Sequence, residues 1–173
     1  MRKIINKASL LTTVFLAFAL VSTAQTGKEK KANQDTENWR YEIECVGIGQ
    51  PGTKLIKVWS YSKKATVAIN QAKKNAVHGI IFQGYAGGGQ GCTPQRPLTN
   101  DPSLEQQKAD FFTPFFAEGG KYMKFVSTSG DGTPTPMKVG KEYKVGVVVT
   151  VMTDLLRSDL EAAGIIKGLA SGF

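Results

Sequence analysis

The chain has 173 residues, 41% of them hydrophobic, and its 22 Lys and Arg against 14 Asp and Glu give a formal net charge of +8. That charge is modest and spread along the chain, without the basic–aromatic interleaving of a nucleic-acid platform, so nucleic acid is excluded as a partner class while acidic surfaces are not. The length fits one domain with an ordinary core, and no internal repeat is visible.

The first segment, "MRKIINK", carries Arg2, Lys3 and Lys7, and the uncharged run "ASLLTTVFLAFALV" follows, with Ser22 and Ala24 two apart behind it. A positive start, a short apolar centre and a small-x-small exit predict a secretory signal peptide over residues 1–24, cleaved between Ala24 and Gln25. The alternative, a retained anchor helix, needs about 20 apolar residues, more than this run supplies. No second long apolar run appears, so the mature chain is expected to have no transmembrane span. No cysteine lies near the cleavage point to accept a lipid. Cleavage removes those three bases and no acid, taking the net charge from +8 to +5, and delivers the protein to the periplasm or beyond. Residues 25–38 are polar and aperiodic and read as a disordered leader, followed by one domain over 39–173.

In "WRYEIECVGIG", Tyr41, Ile43 and Cys45 alternate with Arg40, Glu42 and Glu44, which predicts a strand. Pro51-Gly52 suits the centre of a type II turn, and "KLIKVWSYS" resumes the strand pattern, making a hairpin. "SKKATVAINQAKKNAVHGI" switches to helical spacing, with Ala65, Ala68, Ile69, Ala72, Ala76 and Val77 on one stripe. Gly79 is expected to end that helix, and "IIFQGY" to form a short third strand. "DPSLEQQKADFFTPFFAEGG" reads as a second helix that kinks or breaks at Pro114. "KYMKFVST" reads as a strand, "SGDGTPTPMKVG" as a turn-rich connection and "KEYKVGVVVTVM" as the strongest strand. "TDLLRSDLEAAG" closes as an amphipathic helix, with Leu155, Leu156, Leu160 and Ala163 on its core side and Gly164 as its stop. The order implies an α+β fold: an antiparallel sheet of four to five strands with two to three helices packed mainly on one face.

The cysteines are Cys45 and Cys92. In an oxidising compartment they are first read as a disulfide closing a loop of nearly fifty residues, worth about 4 kcal/mol by chain entropy; a buried reduced Cys45 beside a loose Cys92 is the competing reading. No C-x-x-C spacing suggests redox chemistry.

The glycine-rich stretch "QGYAGGGQGCTP" lacks the lysine of a phosphate loop, and Pro94 and Pro97 oppose a helix start after it, so it reads as a flexible surface loop. His78, the one histidine, is placed near a helix C-terminus, where it favours the dipole. With one histidine no serine or cysteine catalytic set can be assembled, and a histidine zinc site is excluded by count. No catalytic, cofactor-binding or metal-binding residue is assigned. Glu42 and Glu44 share a strand face and read as solvated. Phe111, Phe112, Phe115 and Phe116 repeat at i and i+4; they serve the core or a partly exposed patch for a partner or apolar ligand, and are the partner-binding candidates. The final Phe173 lacks the alternation of a barrel strand before it.

The segments "SKKATVAINQAKKNAVHGI" and "YKVGVVVTVMTDLLRSDLEAAGII" resemble parts of small exported bacterial envelope proteins, in particular the N-terminal domain of the flagellar-assembly T protein and related small surface lipoproteins. The chain departs from the lipoproteins in lacking the lipid-acceptor cysteine, and its glycine loop has no counterpart there. The resemblance implies a small α+β envelope domain with an accessory or assembly role and no catalytic residues to carry over. Two functions follow. One is a noncatalytic exported module that binds or assembles another envelope component. The other is a small periplasmic hydrolase or ligand-binding enzyme with Glu42, Glu44, His78 or Asp110 gathered under the glycine loop.

Overall fold

The computed structural model of the chain describes residues 39–88, 91–130 and 134–168. The expected signal peptide with its Ala24–Gln25 junction, the leader and Phe173 lie outside the described residues.

Strands β1 (Tyr41–Gly47), β2 (Lys54–Ser62), β3 (Val126–Thr128), β4 (Met137–Val139) and β5 (Glu142–Val151) form one antiparallel sheet in the order β1-β2-β5-β3, with β4 also paired to β5. The fold is α+β, as the order of elements in the sequence implies. The β1–β2 hairpin closes through Gly52 at φ +76, with Thr53 N–H donating to Gln50 O at 2.9 Å, the geometry that a Pro-Gly type II turn supplies. The central pair, β2 and β5, runs in register from Lys54↔Val151 to Ser62↔Tyr143.

Period-two alternation puts Ile56, Val58, Val145, Val147, Val149 and Val151 on one face of the sheet, and all of them are buried. Helix α1 (Ala65–Phe82) lies on that face with Ala68, Ala72 and Ala76 fully buried. Alanine leaves room for the helix axis to approach the strands closely, and Asn75 Nδ2 reaches Ser60 Oγ on β2 at 2.8 Å. Gly79 is not the stop. The helix runs on because Ile80 and Ile81 continue the buried stripe, and no third strand forms over 80–85. The stop is Gly84, at φ +65, where the amides of Gln83 and Gly84 both donate to Gly79 O, a glycine C-cap one turn later than expected.

The second helical region divides into α2 (Leu104–Gln107) and α3 (Ala109–Phe115). The break falls at Lys108, which leaves helical geometry at φ −112 and ψ 35, while Pro114 sits in the last turn of α3. Its missing N–H takes away the i+4 donor of Asp110 O, yet the helix runs on to Phe115 and the Phe116 N–H bonds Phe112 O at 2.9 Å. Lys121–Phe125 is a 3-10 turn rather than strand, because Tyr122 and Phe125 both turn into the core. Helix α4 (Thr153–Ala162) buries Thr153, Leu156 and Leu160. Leu155 is 53% exposed and Ala163 is exposed, since the 3, 4 spacing from Thr153 fixes the inward face and leaves Leu155 a hundred degrees off it. Gly164, at φ +66, ends α4 as expected.

Candidate functional site

Helices are packed on one face of the sheet only, so the sequence-predicted residues are distributed over two environments. Glu42 and Glu44 point to the open face, where Glu42 accepts a hydrogen bond from Tyr61 Oη and pairs with Lys144 Nζ at 2.9 Å. The Tyr61 bond, then the Lys144 bond, holds the Glu42 carboxyl below its ordinary range. His78 lies on the opposite, helix-covered side and Asp110 is exposed on α3. The structure therefore does not bring Glu42, Glu44, His78 and Asp110 together.

Of the phenylalanines, Phe112, Phe115 and Phe116 are buried and Phe111 is half-buried. They stack with one another, with Phe82 on α1 and with Phe125. Their i, i+4 repeat builds the core under α3, so three of the four rings are not presented to a partner.

Cys45 and Cys92 form a disulfide with Cα atoms 5.8 Å apart. It fastens the glycine-rich loop to β1. The same loop is tied to α1 by Leu98 N–H to Ile80 O and Thr99 N–H to Ile81 O, both 3.1 Å, and Tyr85 and Gln95 exchange backbone bonds across its neck. Between the disulfide, the hairpin turn and the start of α4 lies a shallow cleft of about 280 Å³, bordered by Ile48, Lys54, Tyr85, Thr93 and Asp154. Its polar groups serve the fold: Thr153 Oγ1 and Asp154 N–H both bond Gly52 O, and Thr53 Oγ1 bonds Gln50 O. Thr153, the buried polar side chain in its lining, has its hydroxyl committed to Gly52 O.

His78 is a buried polar side chain that joins α1 to β1 and α2. It is 4% exposed. Its Nδ1 is 2.7 Å from Tyr41 Oη on β1, and its Nε2 is 3.2 Å from Glu105 Oε2 on α2. Trp39 stacks on its ring at 3.6 Å between centroids and 14° between planes, with Phe82 and Phe116 against the same imidazole. Burial lowers its proton affinity below the ordinary histidine value, an effect that the Glu105 carboxylate partly opposes. Burial, reinforced by Glu105, also raises the Tyr41 phenol well above the ordinary tyrosine value. A neutral imidazole with its proton on Nε2 satisfies every member: Tyr41 donates to Nδ1, and Nε2–H donates to Glu105. Such a Tyr–His–Glu chain could relay a proton, but Tyr41 and His78 are both buried and the cleft beside the disulfide does not reach them. A dipole role for His78 at the helix end is superseded, since the helix continues a full turn beyond it.

On the open face, Trp59 of β2 lies across Gly146 of β5, its register partner. A methyl group at Gly146 would sit 2.7 Å from Trp59 Cζ3. Lys57 Nζ and Lys144 Nζ lie 4.3 and 5.0 Å from the Trp59 ring centroid, and the Arg40 guanidinium lies 4.7 Å from that of Tyr61. Arg40 pairs with Glu142 across the sheet. Beside them on the same face, Met137 and Val139 of β4 are exposed.

Among the described residues, no group of three or more His, Cys, Asp or Glu side chains is placed as metal ligands would be. No described helix is long and apolar enough to cross a membrane. Comparison with protein-family models, with curated proteins and with solved structures finds no match to this chain.

Proposed function

We propose that this chain is an exported, noncatalytic accessory module of the cell envelope, freed from its signal peptide between Ala24 and Gln25, that docks another envelope protein through the open face of its sheet. The observation that carries this reading is the one-sided fold: every packed helix lies on one face, and the other presents Trp59 and Tyr61 within a frame of Arg40, Lys57 and Lys144. Aromatic and arginine side chains in a polar frame are the residue types that anchor protein interfaces. The Cys45–Cys92 bridge supports a site of action in the periplasm or outside the cell, where disulfides persist. The resemblance of the alanine-rich and C-terminal segments to small envelope domains of the flagellar-assembly T-protein type points to the same assembly role.

The test is photo-crosslinking in the native cell from probes placed at Tyr61 and Val148 on the open face and at Lys108 on the helical side. An adduct with an envelope protein from the first two positions and none from Lys108 is the expected result. Equal adducts from all three positions, or none from the sheet face, would remove the assignment. Peptide mapping of the secreted fraction should find Gln25 as the first residue.

A further inference from the structure

The inward face of β2 ends in a charge. The alternation that buries Ile56, Val58, Ser60 and Ser62 makes Lys54 the next inward position toward the hairpin. It lies on the side of the sheet that carries Cys45, the register partner of Ile56. That corner is the cleft of about 280 Å³ beside the disulfide, and the half-buried Lys54 lines it together with Asp154 in the first turn of α4. Among the described residues neither the Lys54 ammonium nor the Asp154 carboxylate forms a hydrogen bond or an ion pair, with the other or with a third group. The hydroxyl of Tyr85, half-buried in the same lining, is also without a hydrogen bond among the described residues. The open face is different, since Arg40 and Lys144 there each hold a carboxylate.

We propose that this cleft binds a small zwitterion, a free α-amino acid, with its carboxylate on Lys54, its ammonium on Asp154 and its side chain against Ile48 and Tyr85. The site is separate from the docking face, being on the other side of the sheet from Trp59 and Tyr61.

The two charges share one cleft and do not close on each other, because each is fixed from behind. The pairing of Lys54 with Val151 holds one. The bonds from Thr153 Oγ1 and Asp154 N–H to Gly52 O hold the other. A simple anion would satisfy Lys54 and be repelled by Asp154, and a simple cation would do the reverse. A molecule carrying both charges meets both, through charge-assisted hydrogen bonds. Asp154 stays ionised in this role, since the start of a helix favours a carboxylate. The volume is at the lower end of small-molecule sites, which suits a free amino acid. Apolar surface stands beside the charges: Ile48 is 78% exposed at the rim, and Gly91, at φ +79, lies close against it. The disulfide and the Gly52 bonds set these walls in place before a ligand arrives, which limits the ordering cost of binding.

The test is a titration of the ¹⁵N-labelled protein with glycine, L-alanine, L-valine and L-phenylalanine, followed by NMR. At least one of them should shift the amides of Gly49, Thr53, Gly91 and Thr93 saturably and leave the Trp59 indole signal in place. The N-acetyl and the amide derivatives of that amino acid, each lacking one charge, should bind about tenfold more weakly or worse. Lys54→Met and Asp154→Asn should each weaken the amino acid by about the same factor, with far-UV circular dichroism unchanged. The derivatives are tested on the native protein and decide the matter if either variant does not fold. The assignment is overturned if none of the four shifts the cleft saturably, if acetate or methylammonium binds as tightly as the amino acid, or if the N-acetyl and amide forms keep its affinity.

Discussion

Gly79 sits in the interior of an α-helix, where glycine costs about 1 kcal/mol relative to alanine. On propensity alone Gly79→Ala would stabilise the protein. The packing says otherwise. A methyl group at Gly79 would overlap the Cδ1 methyl of Ile43 and lie 3.2 Å from Cε2 of Tyr41. Ile43 is half-buried and can swing, at an off-rotamer cost of about 1 kcal/mol. Tyr41 cannot give way freely, because its hydroxyl is held by His78. Overpacking of this kind costs about 1–3 kcal/mol, so the packing cost exceeds the propensity gain. Gly79→Ala should destabilise by about 1 kcal/mol and lower the melting temperature by about 4 °C. The partner variant separates the two effects. In an Ile43→Val background the obstructing methyl is gone, and Gly79→Ala should then be neutral or slightly stabilising. Urea unfolding of the four proteins of this double-mutant cycle measures the coupling directly. A higher midpoint for Gly79→Ala in the native background would show that helix and strand are not in close contact there and would refute the reasoning.

Removing the bridge with Cys45→Ala and Cys92→Ala, which lie 47 positions apart, should lower the unfolding free energy in urea by about 2–4 kcal/mol, the upper figure being the chain-entropy value for such a loop. Leu156→Ala, at a fully buried position, should cost about 3 kcal/mol in the same assay, whereas Leu155→Ala, at a 53% exposed one, should stay within about 0.5 kcal/mol. Stability should also fall in mild acid. The folded histidine binds its proton less readily than the unfolded one, near 6.5, so the unfolded chain gains protons first and the contribution present above 6.5 is lost as pH drops through the folded value. His78→Gln should flatten that part of the stability profile.

Alternation is what made the sheet legible. Every second residue is buried from Ile56 to Ser62 in β2 and from Val145 to Val151 in β5, and Pro51-Gly52 between β1 and β2 suits a type II turn. The helix end was less legible because Ile80, Ile81 and Phe82 form a short β-branched and aromatic run, which periodicity cannot assign to helix or strand. Gly79 is a close-approach residue, with Ile43 and Tyr41 against it, rather than a cap; the cap is Gly84, further along. The segment 121–125 failed for a related reason, since Tyr122 and Phe125 are spaced by three and not by two. The histidine cluster required contacts 37 and 27 residues apart in the chain. Half of it is legible: alternation puts Tyr41 on the same face of β1 as Ile43, and His78 follows Val77 on the helix. Nothing local marked Glu105 as its partner, because a glutamate in a polar four-residue turn looks solvated.

A sheet covered on one side has to keep the other side soluble, and this chain does so without removing its aromatic residues. Trp59 and Tyr61 remain, but Lys57, Lys144 and Arg40 lie over them, and Arg40 and Lys144 are in turn neutralised by Glu142 and Glu42. Basic side chains laid along apolar surface in this way shield the ring while the charged end stays in water. The arrangement constrains any docking partner. An entirely apolar surface pressed onto this face would bury those ion pairs, whose desolvation is not recovered by their mutual attraction. A partner that brings carboxylates to the rim and an aromatic or aliphatic group to the centre can instead draw Lys144 away from Glu42 and uncover Trp59. Affinity through this face should therefore depend on salt and on the partner's acidic residues, and Glu42→Gln, by freeing Lys144 in advance, should strengthen rather than weaken binding.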